Sequence, residues 1–168
     1  MKSIIKLLFA AFLIVAPLNA TAQSNVAHIN VQQLISEMPE VIAAQNELAK
    51  LEKDYTTQID NAFKEFQTKA QSYSSDAANQ TDVTNQARQK ELESMQTNLQ
   101  EFRDSAAQEL QKKQMDLMTP LLEKARNAIT KVGEAQGFNY VIDSSPNGGI
   151  ILANGKDLLA DVKKELGF

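Results

Sequence analysis

Apolar residues recur at three- and four-residue steps along most of this chain, with Gln, Glu, Lys, Asn and Thr between them. The pattern governs a stretch from about Pro39 to about Val132. Its first half carries Leu48, Leu51, Tyr55, Ile59, Ala62, Phe66, Ala70 and Tyr73. Its second half carries Leu92, Met95, Leu99, Phe102, Ala106 and Leu110, then resumes as Met118, Leu121, Ala125, Ile129 and Val132. That spacing places the apolar groups on one face of an α-helix. A narrow seam with a polar remainder predicts an antiparallel pair of long helices, a coiled-coil hairpin.

Local signals set the expected ends. Pro39 suits the first turn of a helix, and Glu40 is favourable at its positive terminus. The polar run Gln71–Asp82 is rich in turn formers and predicts the hairpin tip near residues 72–82. Thr81 or Asp82 can cap the second helix. A helix over Pro39–Ser72 would be on the order of 50 Å long at 1.5 Å per residue. Pro120 removes one helical N–H and crowds the carbonyl of Asp116, and the seven-residue series Leu92, Leu99, Ala106 next meets Lys113. We expect a continuous helix that bends there, the alternative being a break with a new helix from Pro120.

The flanks read differently. Val26–Val31 is β-prone. Asn30 can cap a short helix through Ile35. Gly133 and Gly137 bracket the expected end of the second long helix. Phe138–Asp143 predicts a strand with Phe138, Tyr140 and Ile142 on one face, and Ile150–Ala153 predicts a second strand joined to it as a β-hairpin. Asp157 can cap a final helix, Leu158–Leu166, whose apolar side is Leu158, Leu159, Val162 and Leu166. Lone strands are unstable, so the strands on either side of the arm must meet. The expected fold class is α+β: a small body, residues 23–38 and 133–168, with the arm, residues 39–132, inserted.

Composition narrows the setting. Met1–Ala22 has Lys2 and Lys6, an apolar run Leu7–Val15, and small residues at Ala20 and Ala22, the pattern of a secretory signal cleaved before Gln23. The alternative is an uncleaved anchor, for which about 20 apolar residues are needed. The chain has no Cys, which for an exported protein favours a bacterial periplasm. Its formal charge is −4, becoming −6 without Lys2 and Lys6, which argues against nucleic acid as a partner. At 6% aromatic residues, one copy has little apolar material for a private core, so self-assembly is expected.

Catalytic chemistry finds no support. The single His, His28, falls on a predicted strand and reads as structural. A metal site would need partner ligands, and there is no Cys and no HExxH pattern. Glu91/Glu93 and Asp157/Asp161 are explained by solvated helix faces and caps. Gly148-Gly149 reads as a turn, not a phosphate loop. No enzyme and no cofactor is expected.

Three stretches resemble the Skp/OmpH family of periplasmic outer-membrane-protein chaperones. They are Val26–Leu34; Pro120-Leu121-Leu122-Glu123-Lys124 leading into Ala135–Asp143; and Asp157–Val162. The element order is similar throughout the mature chain. The resemblance implies a homotrimer whose strands form a shared trimerisation body, with three arms around a central cavity. It implies an ATP-independent holdase that shelters unfolded outer-membrane β-barrel proteins, and transient contact with the outer or inner membrane surface is a further expected partner. The best-known members are basic and this chain is acidic, so neither a lipopolysaccharide site nor charge-driven capture is carried over. Candidate client-binding residues are Phe63, Phe66, Tyr73, Met95, Phe102 and Met115, with Pro120 as the arm hinge. Phe63 sits beside the seam, and Met is adaptable at promiscuous surfaces. Lys64, Lys69, Arg88, Lys90, Lys112 and Lys113 could attract acidic segments or simply belong to a solvated face. A rival reading is an envelope coiled-coil spacer or assembly partner without client binding. A third is an enzyme accessory factor.

Overall fold

The computed structural model describes residues 25–146 and 148–168. The expected signal Met1–Ala22 and its cleavage before Gln23 lie outside the described residues.

Strand β1 (Val26–Ile29) is followed by helix α1 (Val31–Glu37). β1 alternates as its sequence requires, with Ala27 and Ile29 buried and Val26 exposed. The expected capping by Asn30 is present: its Oδ1 accepts the Gln33 amide at 2.9 Å. Met38 ends α1, and Pro39 opens helix α2 (Pro39–Asp76) in the position where its missing N–H costs nothing.

α2 runs into the expected tip, residues 72–82, as far as Asp76. Gln71–Asp76 is helical, so the turn is confined to a 3₁₀ segment Ala77–Asn79 and the two residues after it. Tyr73 keeps the first helix on the seam, which is why the polar run does not unwind earlier. Helix α3 (Asp82–Ala135) starts at Thr81, whose hydroxyl accepts the Thr84 amide at 3.2 Å. It continues unbroken through Pro120. α3 ends where its glycines suggested: Gly137 has φ 75°, its N–H bonds Glu134 O at 3.0 Å, and Phe138 N bonds Gly133 O at 3.0 Å. This is a Schellman termination, which needs a left-handed residue at Gly137.

Strands β2 (Tyr140–Asp143) and β3 (Lys156–Asp157) pair on opposite sides of β1, both parallel to it, in the order β2-β1-β3. Helix α4 (Leu159–Leu166) closes the chain on Gly167 at φ 89°. The expected β-hairpin is therefore wrong. Ile150–Ala153 forms no strand, and Ile151 is fully exposed. The cause lies at Ser145, which is tied to the start of α1 (its Oγ accepts the Gln32 amide at 3.0 Å) and leads the chain away from β2. Gly155 then packs so closely on the Val26 carbonyl that a Cβ would stand 2.7 Å from it, which sets Lys156 and Asp157 beside β1. The expected strand face also needs correction. Tyr140 and Ile142 are exposed, whereas Phe138 lies before the strand and packs with Val141 against the core.

The core is formed by Ala27 and Ile29 of β1, Leu34 of α1, Met38, Leu158 just before α4 and Val162 within it, together with Val41 at the root of α2 and Ala125, Ala128 and Val132 of α3. The long helices thus enter the body as part of its core.

A candidate binding surface on the helical hairpin

Every residue of the expected seam is withdrawn from solvent. Leu99, Ala106, Ala125 and Val132 are buried, and the others are half-buried. Such a narrow stripe leaves most of both helices wet. Polar ties across the seam align it: Glu40–Lys124 at 2.6 Å, Glu47–Lys113 at 2.8 Å, Tyr55–Glu109, Lys69–Glu91 at 2.6 Å, and Asp76–Arg88 at 3.0 Å. Lys113, where the apolar series lapses, is half-buried and satisfied by Glu47. These ties are mostly solvated, and water and salt screen them, so each adds little to stability. Their value is in specifying register.

The tip carries the densest network. Glu91 accepts from Lys69 and, at 2.6 Å, from the Tyr73 hydroxyl, which together hold its carboxyl below its usual range. Arg88 stacks over the Tyr73 ring, 4.7 Å from its centroid, while bonding Asp76. Hydrogen bonds from Arg88 and Asn79 lower the Asp76 pKa.

The six candidate residues are divided by the structure. Phe66, Tyr73, Met95 and Phe102 are half-buried on the seam. Phe102 meets the Tyr55 ring edge-to-face at 6.0 Å. Phe63 and Met115 face outward, 40% and 54% exposed. Phe63 stacks on Phe66 at 6.5 Å. Three of the six candidate cations, Lys69, Arg88 and Lys113, are engaged in the cross-helix pairs above. Pro120 is exposed within α3.

Periodicity alone missed two grooves beside the seam. One, of about 530 Å³, is floored by Leu51 and Tyr55 and bordered by Glu47, Asp54, Glu109 and Asp116 with Lys50, Lys112 and Lys113. The other, of about 360 Å³, lies between Ala62 and Leu99 and includes Met95 and Phe102. For the upper groove the available signal was Ala62, a small residue between Ile59 and Phe66 on the stripe.

The body has its own apolar surface. Tyr140, Ile142, Ile151 and Leu152 are exposed, and Tyr140 borders a groove of about 680 Å³ that reaches from Ile35 and Leu122 to Phe138. His28 Nδ1 lies 3.1 Å from Ser144 Oγ. Among the described residues no three His, Cys, Asp or Glu come together as a metal site, and no helix is long and apolar enough to cross a membrane.

Residues 25–166 match the family described as "Outer membrane protein (OmpH-like)". The chain is 26% identical over 148 residues to the Chaperone protein Skp of Yersinia enterocolitica, an alignment covering 85% of this chain and 86% of that protein.

Proposed function

The chain belongs to the OmpH-like family, and from that premise we propose that it is an ATP-independent periplasmic holdase for unfolded outer-membrane β-barrel proteins. The observation that carries the reading is the hairpin itself. Helices of 38 and 54 residues pack on one another along a stripe of seam residues and leave both flanks open to a client. At 1.5 Å per residue α3 extends about 80 Å, far beyond the body at its root.

The mechanism is caging. Three copies join through the exposed apolar surface of their bodies, and the three arms enclose one cavity. Large exposed apolar surface at Tyr140, Ile142 and Ile150–Leu152 supports such an assembly, because water-exposed patches of this kind mark interaction sites. Many weak contacts hold the client without fixing it, and each arm raises the effective concentration of the next contact. Phe63 and Met115 supply adaptable apolar surface. Phe66, Tyr73, Met95 and Phe102 contribute the edges they leave uncovered. Pro120 lets the arm flex to fit clients of different size. No catalytic step or cofactor enters this reading. The signal-like pattern of Met1–Ala22 supports export, and contact with a membrane surface accompanies client delivery.

Light scattering on the mature protein, alone and with a urea-unfolded outer-membrane β-barrel protein, tests the proposal. A trimer that forms a discrete soluble complex is expected. A monomer or dimer that leaves the client to aggregate would point instead to an envelope spacer.

A further inference from the structure

The two grooves beside the seam lie end to end on one flank of the arm. On α2 their bordering residues Glu47, Asp54, Gln58 and Glu65 follow at steps of seven, four and seven. Each precedes a seam residue by one position: Leu48, Tyr55, Ile59 and Phe66. On α3 the corresponding stripe is Asn98, Phe102, Glu109, Lys112 and Asp116, at steps of four, seven, three and four. Residues so spaced share one side of a helix. Where the grooves meet, Tyr55 of the lower one touches Phe102 of the upper, ring centroids 6.0 Å apart. The two grooves are aligned as one track, apolar along its floor and polar along its banks, with the Tyr55–Phe102 ring pair between them.

Length and charge define what fits it. From Glu47 to Glu65 the helix rises roughly 27 Å. An extended chain covers that distance in about eight residues. A membrane-spanning β-strand has about 9–11 residues and alternates apolar with polar side chains, so its apolar set can face one side for the whole length. The banks of the track carry the carboxylates Glu47, Asp54, Glu65, Glu109 and Asp116. Against these stand Lys50, Lys112 and Lys113; Lys113 and Glu47 pair with each other, and Glu109 accepts the Tyr55 hydroxyl, so the lower groove keeps a net charge of one carboxylate over its lysines. The upper groove has no cation in its lining, although its one carboxylate, Glu65, lies 3.9 Å from Lys69, which is itself drawn to Glu91 at 2.6 Å.

The geometry points to this track as the seat of one extended, unfolded β-strand segment that carries Lys or Arg at its polar positions. Its apolar side chains lie on Leu51, Tyr55, Ala62 and Leu99, and its cations face the carboxylate banks. The inference rests on the holdase reading and deepens it: the arm selects cationic strands and disfavours acidic ones. Opposite charge raises both encounter rate and discrimination, whereas like charge is penalised.

Labelled ten-residue peptides alternating Leu or Phe with Lys, and matched peptides with Glu in place of Lys, test the inference by fluorescence anisotropy against the mature protein. The Lys peptide is expected to bind at least fivefold more tightly than the Glu peptide, with the difference shrinking as salt is raised. The exposed pair Asp54→Lys and Glu65→Lys should erase or invert the preference, and Gln58→Trp, which fills the upper groove, should weaken both peptides. Thr56→Lys, which follows a seam residue and so lies on the opposite flank, should change neither. Equal or reversed preference in the wild type, or equal effects from Thr56→Lys and the Asp54/Glu65 pair, would overturn the track. Circular dichroism of each variant separates loss of the site from loss of the helix. Suppression of aggregation of an unfolded outer-membrane protein is measured in parallel. Suppression without peptide preference removes the track and leaves the holdase reading, while peptide preference without suppression does the reverse.

Discussion

Ser145 Oγ lies 3.1 Å from Asn30 Oδ1, although the two residues are 115 positions apart in the chain. Together with Asp143 they satisfy the first free amides of α1: Val31 N bonds Asp143, Gln32 N bonds Ser145 and Gln33 N bonds Asn30. A helix start leaves such amides unpaired. Here two of the caps arrive from beyond the arm, so the cluster fastens the incoming and outgoing halves of the body together. Burial pushes the Asp143 carboxyl up, but bonds from the Ser145 hydroxyl and amide and from the Val31 amide outweigh it and hold the pKa low.

Ser145→Ala should therefore destabilise the body by about 1–3 kcal/mol, because Ser145 is buried and its loss leaves the Gln32 amide unpaired. Asn30→Ala should cost about 1 kcal/mol. Urea denaturation of the two variants and their double is expected to show less than additive loss, since the residues share one network. Additive losses would refute the coupling.

Acid should loosen the tip of the hairpin. The Glu91 and Asp76 carboxyls sit below their usual 4.5 and 3.8 in the folded chain. Their contribution is complete above those values and is lost as pH falls through the lowered ones. Amide exchange at Ala77–Gln80, corrected for its intrinsic pH dependence, should speed up below about pH 4. Lys69 behaves oppositely: its bond to Glu91 raises it above 10.5, so its contribution is complete below 10.5 and fades as pH rises through the raised value. Glu91→Gln should flatten the response at both ends; an unchanged profile would exclude the Glu91 network as what holds the tip.

Gly133 is held by packing. A Cβ there would stand 2.8 Å from Val141 Cγ2. Ala gains about 1 kcal/mol of helix propensity, while overpacking against a stiff β-branched neighbour costs about 1–3 kcal/mol. Gly133→Ala should be neutral to destabilising alone and stabilising when Val141 is Ala. Thermal unfolding of the two backgrounds measures the reversal of sign.

Pro120 tests the arm hinge. Pro120→Ala restores an N–H for the Asp116 carbonyl and removes a penalty of about 3 kcal/mol in an exposed helix interior. The helix should become more stable and the distribution of arm spread in small-angle scattering should narrow. Greater helix stability with unchanged spread would remove the hinge from the mechanism.

The seam was legible because it is a local property. Leu48 through Tyr73 and Leu92 through Leu110 were read at three- and four-residue steps, and each of them is half-buried or buried. The capping of α1 by Asn30 and the α3 end at Gly137 were legible for the same reason: a cap acts within a few residues of itself. The turn at residues 77–81 falls within the expected stretch 72–82, and the seam residue Tyr73 carries the first helix into that stretch as far as Asp76. Among the six candidate residues, sequence could nominate Phe63 as lying beside the stripe, and the structure places both it and Met115 outward. The grooves could not be read from periodicity, since each depends on which residue of α3 stands opposite the stripe of α2: Leu99 opposite Ala62 in the upper one, Glu109 and Asp116 opposite Leu51 and Tyr55 in the lower.

Sequence by itself determined the helices, their apolar faces, the caps at Asn30, Thr81 and Gly137, and the α+β class. These follow from a fixed rotation per residue and from hydrogen bonds that close within one turn. Only the tertiary structure decided the parallel order β2-β1-β3, the exposure of Ile150–Leu152 and the cross-helix register from Glu40–Lys124 to Asp76–Arg88. Short strands do not encode their partners. Their pairing is set by contacts such as Ser145 with α1 and Gly155 with β1, which exist only once segments more than a hundred residues apart have met.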